Sequence, residues 1–324
     1  MNAHPVVMSA DTTQSQTVNQ PNMFTSASDI TFSDSQFQVA NNITNNITNN
    51  HISSDMKIKI YNWLGAPDFS VNFVRAADKK TDGTGQWILE HSMYKNWKQT
   101  EASNILWIQG KAGSGKTFLS TTIIQDLQKT APNNSLVQQV GITADGIVHS
   151  DLQDLFATKC KQGQTQPIIH DLEEVLRTIL TNVGPGYIIL DAMDECELEG
   201  KSEVYEWLDR IRGFSNLHLA ITSRDHVEQN LVGASHQIFL DDSGIDQDIA
   251  IHLDRKIQKF PFKEKLQGEI KDSLMAQAQG QFRWVDCQLN ILQKCGTPRS
   301  IRKALQNLPK DLEETYTMAL EKSM

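Results

Sequence analysis

The first 56 residues contain no lysine, no arginine and no glutamate. Ser, Thr, Asn and Gln stand in their place, and such a stretch buries too little apolar surface to offset the entropy of ordering it. Residues 1–56 therefore read as a disordered polar tail. Within it, Gln36 to Asn50 repeats Asn-Asn-Ile-Thr, a pattern of β-branched and amide side chains suited to stacking. The rest of the chain is short of other things. It carries no lysine- or arginine-rich run, and the whole chain has a net charge of −9, which argues against nucleic acid as the main partner. No apolar run reaches membrane-spanning length. The N-terminus has neither the basic start nor the apolar segment of a secretory signal. The expected location is cytoplasmic, with the glycosylation sequons at Asn42 and Asn46 unused. Four cysteines, Cys160, Cys196, Cys287 and Cys295, show no zinc or C-x-x-C spacing and read as reduced. The nine histidines form no H-E-x-x-H or triad-like cluster. An Asn-Lys-x-Asp sequence, which would read guanine, is also missing.

What the chain does have is a complete G-x-x-x-x-G-K-[ST] sequence, from Gly110 to Thr117. The apolar run Ile105-Leu106-Trp107-Ile108 before it reads as a buried parallel strand. Phe118, Leu119, Ile123 and Leu127 after it are spaced for one helix face. Strand, glycine loop and helix in this order let backbone N–H groups point inward at phosphates, with the positive helix end behind them. Gly110, Gly113, Ser114 and Gly115 form the loop. Lys116 is placed to reach the β and γ phosphates, and the Thr117 hydroxyl to ligate Mg²⁺.

A second motif supplies the other half of the chemistry. Tyr187-Ile188-Ile189-Leu190 ends in Asp191, followed by Ala192-Met193-Asp194-Glu195. Four apolar residues and then an aspartate describe a buried strand presenting a carboxylate at its C-terminal edge, where ligands bind in open α/β sheets. Asp191 would hold Mg²⁺ through water. Glu195, or alternatively Asp194, would orient or deprotonate the attacking water. Three carboxylates this close repel unless a cation sits among them.

The remaining pattern alternates. Asp171 and Glu174 suggest a capping box opening a helix with Leu172, Val175, Leu176, Ile179 and Leu180 inside. Another helix carries Val204, Leu208 and Ile211. Strands are expected at Leu217 to Thr222 and at His236 to Leu240. The expected fold is α/β, a P-loop NTPase with a mainly parallel sheet flanked by helices over residues 57–245. Beyond it the periodicity is helical only. A helical subdomain is expected at 246–296, its helices separated by Gly268, Gly280 and Gly296. Two short helices broken at Leu308-Pro309 follow in 297–324. Residues 136–142, Leu-Val-Gln-Gln-Val-Gly-Ile, are a weak candidate for a further strand.

With these motifs in place, the chain resembles fungal NACHT-type NTPases of the STAND class, whose NTPase module is described as nephrocystin-3-like. The resemblance starts near Ile60 and rests on Gly83-Thr84-Gly85-Gln86-Trp87, the phosphate loop, Asp191 to Glu195, and Thr222-Ser223-Arg224. Gly280 to Trp284 and Leu308-Pro309 with Thr315-Tyr316 add to it. It implies ATP/ADP and Mg²⁺ as cofactors, switching between two nucleotide states, slow hydrolysis, and a role in non-self recognition or regulated cell death. Arg224 would be the arginine that senses the γ-phosphate. Gly85 and Trp87 would lie on the adenine side, with Trp87 either at the base or in the core. Phe282 stands where related switches place a proline against adenine. The aromatic strand usual in this family is poorly matched, and 297–324 looks like the start of a truncated winged-helix-like region.

Two readings follow. One is an ATP-operated signalling switch that self-associates and meets a downstream partner through its tail. The other is a scaffold that binds nucleotide without turning it over and acts through the asparagine-rich tail. A small-molecule kinase is disfavoured, because the acidic cluster suits water activation and no acceptor site or arginine-bearing lid is evident.

Overall fold

The computed structural model of the protein describes residues 37–41, 54–65, 69–100, 102–130, 136–139, 142–143, 148–183, 186–195, 198–215, 217–224, 234–240 and 243–321. Seven strands among them form one sheet: β1 (Phe37–Asn41), β2 (Asn104–Gln109), β3 (Leu136–Gln139), β4 (Ile142–Thr143), β5 (Gly186–Leu190), β6 (Leu217–Ser223) and β7 (His236–Phe239), in the order β4-β3-β1-β5-β6-β2-β7. The strands β5, β6, β2 and β7 are mutually parallel. Every residue of β2 and β6 is buried, which is why their middles, Ile105 to Ile108 and Leu219 to Ile221, are apolar without alternation.

The strand period of two sorts side chains to opposite faces. Ile105, Trp107, Leu219 and Ile221 face a core completed by helices α1 (Ser54–Leu64), α7 (Ile169–Val183) and α8 (Leu198–Ile211). Leu106, Ile108, Ile189 and Ala220 face the opposite core. There they meet α4 (Ser92–Gln99), α5 (Lys116–Thr130) and the helices that follow the sheet. Between α1 and α4 lie α2 (Phe69–Lys79) and the single turn α3 (Trp87–Glu90). α6 (Ser150–Asp154) continues into a π-helical turn, Leu155–Lys159. Parallel register aligns Gln109 with Ser223 and Leu190 with Ile221. The next residues, Gly110, Asp191 and Arg224, therefore leave the sheet at one edge.

After β7 the chain is helical: α9 (Ser243–Ile257), α10 (Glu264–Met275), α11 (Phe282–Gln293), α12 (Pro298–Leu305) and α13 (Leu312–Glu321). Trp284 Nε1 donates to Pro309 O at 3.0 Å, and Gln288 Nε2 to Thr315 Oγ1 at 3.2 Å, tying α11 to the turn before α13 and to α13 itself. Gly296-Thr297-Pro298 is a helix start. Thr297 and Ser300 cap each other's backbone, and Pro298 fills the first turn.

Four expectations change. Phe37–Asn41, inside the presumed disordered tail, is strand β1, antiparallel to both β3 and β5; the other residues of that tail up to Ser53 lie outside the described residues. The weak candidate around Leu136 does form a strand, but against β1 rather than in the parallel set. Helix α7 starts at Ile169, so Asp171 sits in its first turn, where it accepts from Lys159 Nζ at 2.8 Å. Gly268 lies within α10 rather than between helices. A Cβ there would meet nothing, and buried Leu266, Ile270 and Leu274 hold the helix despite a glycine cost of about 1 kcal/mol.

Candidate nucleotide-binding site

The glycine loop joins β2 to α5. Gly113 and Gly115 have φ of +76° and +90°, the left-handed region that a side chain resists. At Gly113 there is a second reason. A Cβ would lie 2.5 Å from Arg283 Cβ at the start of α11. Arg283 N also donates to Gly113 O at 3.2 Å, so α11 is docked on the loop. Lys116 Nζ curls back to donate to Gly110 O at 2.7 Å and Lys111 O at 3.1 Å. Ser114 is 2 % exposed, and its hydroxyl has no partner among the described residues.

Beside the loop, Asp191 is 2 % exposed and collects hydroxyls. Its Oδ2 accepts from Thr117 Oγ1 at 2.6 Å, and its Oδ1 from Thr222 Oγ1 at 2.6 Å and Ser120 Oγ at 3.0 Å. Thr222 Oγ1 in turn accepts from Ala192 N at 2.9 Å. Ala192 has φ +58°, a strained value for a residue with a Cβ. Through this bend the chain enters a 3₁₀ turn, Met193–Glu195. Asp194 receives Arg224 twice, from its backbone N at 2.9 Å and from Nε at 3.0 Å. Glu195 is exposed at the cavity wall. Thr117 and Asp191 together present a hydroxyl and a carboxylate, the hard oxygen donors that suit Mg²⁺ with waters completing its shell. No cluster of three or more metal-ligating side chains occurs among the described residues.

A cavity of about 900 Å³ opens over these groups. Its far end is built from the turn after α2. Gly85 has φ +76°, and a Cβ there would lie 2.8 Å from Thr122 Oγ1. Trp87 packs its ring over Gly244, and both Gly85 N (2.7 Å) and Trp87 Nε1 (3.0 Å) donate to Asp248 Oδ2. Asp248 is buried, which pushes its carboxyl above the usual range, against the pull of those two donors and of Lys80. Lys80 is held below its usual value by burial and donates to Thr122 Oγ1 at 2.6 Å. Phe282 lies between the two ends, near Gly115 on one side and edge-on to His252 on the other. His252 joins three segments: Nδ1 meets Thr81 Oγ1 at 2.7 Å and Nε2 meets Asp286 Oδ1 at 2.8 Å.

All the residues singled out in the sequence, Gly110 apart, line this one cavity: Gly85, Trp87, Gly113 to Thr117, Asp191, Asp194, Glu195, Arg224 and Phe282. Gly110 is the first residue of the loop below it. Sequence reasoning missed Asp248 and His252, and named Arg283 only within Gly280 to Trp284. The sequence signal of Asp248 and His252 was polarity on the otherwise apolar face of Ile245, Ile249 and Leu253.

Residues 83–140 and 133–224 match the family described as nephrocystin 3, N-terminal. The match runs from the turn before α3 to the end of β6. It is also 24% identical over 276 residues to the vegetative incompatibility protein HET-E-1 of Podospora anserina, covering 72% of this chain but 20% of that protein. The chain thus spans a fifth of the length of that relative. Among solved structures, C. elegans PCH-2 superposes with TM-score 0.36 at 14% identity, covering 66% of this chain and 61% of that one. Rhizobiales Trip13 superposes with TM-score 0.39 at 14% identity, covering 87% and 99%. Superpositions this loose add nothing to the site. Among the described residues no helix is long and apolar enough to cross a membrane.

Proposed function

We propose that the protein is an ATP-binding switch with slow, Mg²⁺-dependent hydrolysis. The observation that carries the reading is the Thr117–Asp191 hydrogen bond of 2.6 Å beneath the glycine loop. It places a hydroxyl and a buried carboxylate where a nucleotide-bound cation needs oxygen donors. Thr117 and Asp191 would hold Mg²⁺, which when bound supplies charge neutralisation at the phosphates.

The chain's own residues divide the remaining work. Lys116 exchanges the Gly110 and Lys111 carbonyls for phosphate oxygens. Glu195, exposed at the wall, takes the proton of a water whose oxygen bonds to the γ-phosphorus as the bond to the β–γ bridging oxygen breaks. Asp194 is engaged by Arg224 and serves as its anchor, not as the base. Arg224 reports the γ-phosphate by moving from Asp194 to the new charge. Trp87 and Phe282 flank the base. The name of the relative HET-E-1 supports a role of the same kind, in non-self recognition or regulated cell death, with self-association and a signalling partner met through residues 1–56.

Phosphate release and ATP titration test this together. Glu195→Gln should keep ATP binding and lose hydrolysis by about 100-fold. Lys116→Ala should weaken ATP binding by about 100-fold or more while the protein stays folded. Unchanged affinity in Lys116→Ala ends the reading. A wild type that binds ATP but releases no phosphate above background makes the protein a nucleotide-binding scaffold. Greater damage from Asp194→Asn than from Glu195→Gln reverses their roles.

A further inference from the structure

We propose that Asp248 selects the purine, its Oδ1 accepting the 6-amino group of adenine while its Oδ2 holds the turn against which the base lies. The inference rests on the nucleotide-binding reading above and names what sets the base.

Asp248 is a carboxylate on α9 with 6 % exposure, and it lines the cavity. Its two oxygens are used unequally. Oδ2 takes both donors of the Gly85–Trp87 turn, whereas Oδ1 takes no hydrogen bond from any described residue. Oδ1 is not among the fully buried atoms that lack a partner, so it keeps access to the cavity that Asp248 lines. A ligand that brings an N–H to the cavity wall finds an acceptor there. The surroundings say which ligand. Trp87, Ile245 and Phe282 give aromatic and aliphatic walls, fit for a flat heterocycle. Lys116 and the loop hold the phosphate end, so a second carboxylate belongs at the base, away from the polyphosphate. Burial raises the Asp248 pKa, and the two N–H donors and nearby Lys80 oppose that rise; the ionised carboxylate offers lone pairs only. Such a group accepts from the adenine amine and repels the guanine 6-oxo group at the same position. The sequence also lacks the Asn-Lys-x-Asp motif that would read guanine.

The test is a set of equilibrium titrations on the full chain with Mg²⁺. The ligands are ATP, GTP, purine riboside triphosphate, which lacks the 6-amino group, and 2′-deoxyATP. Wild type should bind ATP at least about tenfold tighter than GTP or the purine riboside analogue, and 2′-deoxyATP within about threefold of ATP. Asp248→Asn should lose about tenfold for ATP and bring the ATP-to-GTP ratio near unity, because its amide can turn an N–H₂ to the guanine oxygen. Lys116→Ala should weaken all four alike. An unchanged ratio in a folded Asp248→Asn overturns the inference, as does wild-type discrimination that follows the 2′-hydroxyl instead of the 6-amino group. If Asp248→Asn does not fold, the wild-type ratio of ATP to the purine riboside analogue decides. A wild type that binds none of the four removes the nucleotide-binding reading itself, an outcome distinct from nucleotide bound without base preference.

Discussion

Strand β6 carries polar residues near both ends, His218 at one and Thr222 and Ser223 at the other, and the two ends treat them in opposite ways. At its start, buried His218 pairs Nδ1 with Asn104 Oδ1 at 2.8 Å and stacks on Tyr187 at 5.0 Å, with Trp97 edge-on at 6.1 Å. His218 and Asn104 satisfy each other inside the fold, packed among the rings of Tyr187 and Trp97, and none of the four borders the cavity. At its end, Thr222 joins two other hydroxyls on Asp191 at the cavity wall, beside an alanine held at φ +58°. Polar groups matched inward belong to stability. Polar groups gathered on one buried carboxylate at a cavity wall, with strained backbone next to it, belong to function.

The comparison can be broken most severely at the first end. Trp97 is fully buried, so Trp97→Ala should cost about 3–5 kcal/mol in urea denaturation. Because its Nε1 has no partner among the described residues, Trp97→Phe should cost less, under about 2 kcal/mol. Equal losses would show that the indole nitrogen matters after all. At the second end, Ala192→Gly should relieve the left-handed backbone and stabilise by about 0.5–1 kcal/mol, while Ala192→Val should destabilise by more than about 1 kcal/mol. A stabilising valine would refute the strained bend.

Smaller still is the ion pair between Arg224 and Asp194. Arg224 is half exposed, so Arg224→Ala should change stability by less than about 1 kcal/mol yet slow phosphate release. A large stability loss with normal turnover would make the pair structural. The smallest effect is a slope. Burial lowers the pKa of His218 from 6.5, and of His149 likewise, so each is neutral in the fold where the unfolded chain would be charged. Unfolding then takes up protons, and stability should fall as pH drops below about 6.5. His218→Gln should flatten part of that slope in pH-dependent melts; an unaltered slope would assign it elsewhere.

The contiguous parts of the site were legible in the sequence because local geometry defines them. The loop from Gly110 to Thr117 and the strand ending at Asp191 each need only their own neighbours, and β2, β5, β6 and β7 fall within one or two residues of expectation. Asp248 and His252 were not legible, since their partners Gly85, Trp87 and Thr81 lie more than 160 residues away in the chain. β1 was hidden for another reason: its five residues, Phe37 to Asn41, sit in a long polar segment without lysine, arginine or glutamate, and the sheet's other strands supply its pairing.

The bond from Arg283 N to Gly113 O makes α11 a lever with its fulcrum on the phosphate loop. Twelve residues of helix give an arm of about 18 Å. A tilt of about ten degrees at the loop becomes a displacement of about 3 Å at the far end. Leu312, packed within reach of the same glycine, puts α13 on the same bearing. A sub-ångström adjustment of the loop would thereby be geared up at the C-terminal helices, carried by the Gly113 carbonyl and by the packing of Phe282 and Leu312 on the loop glycines.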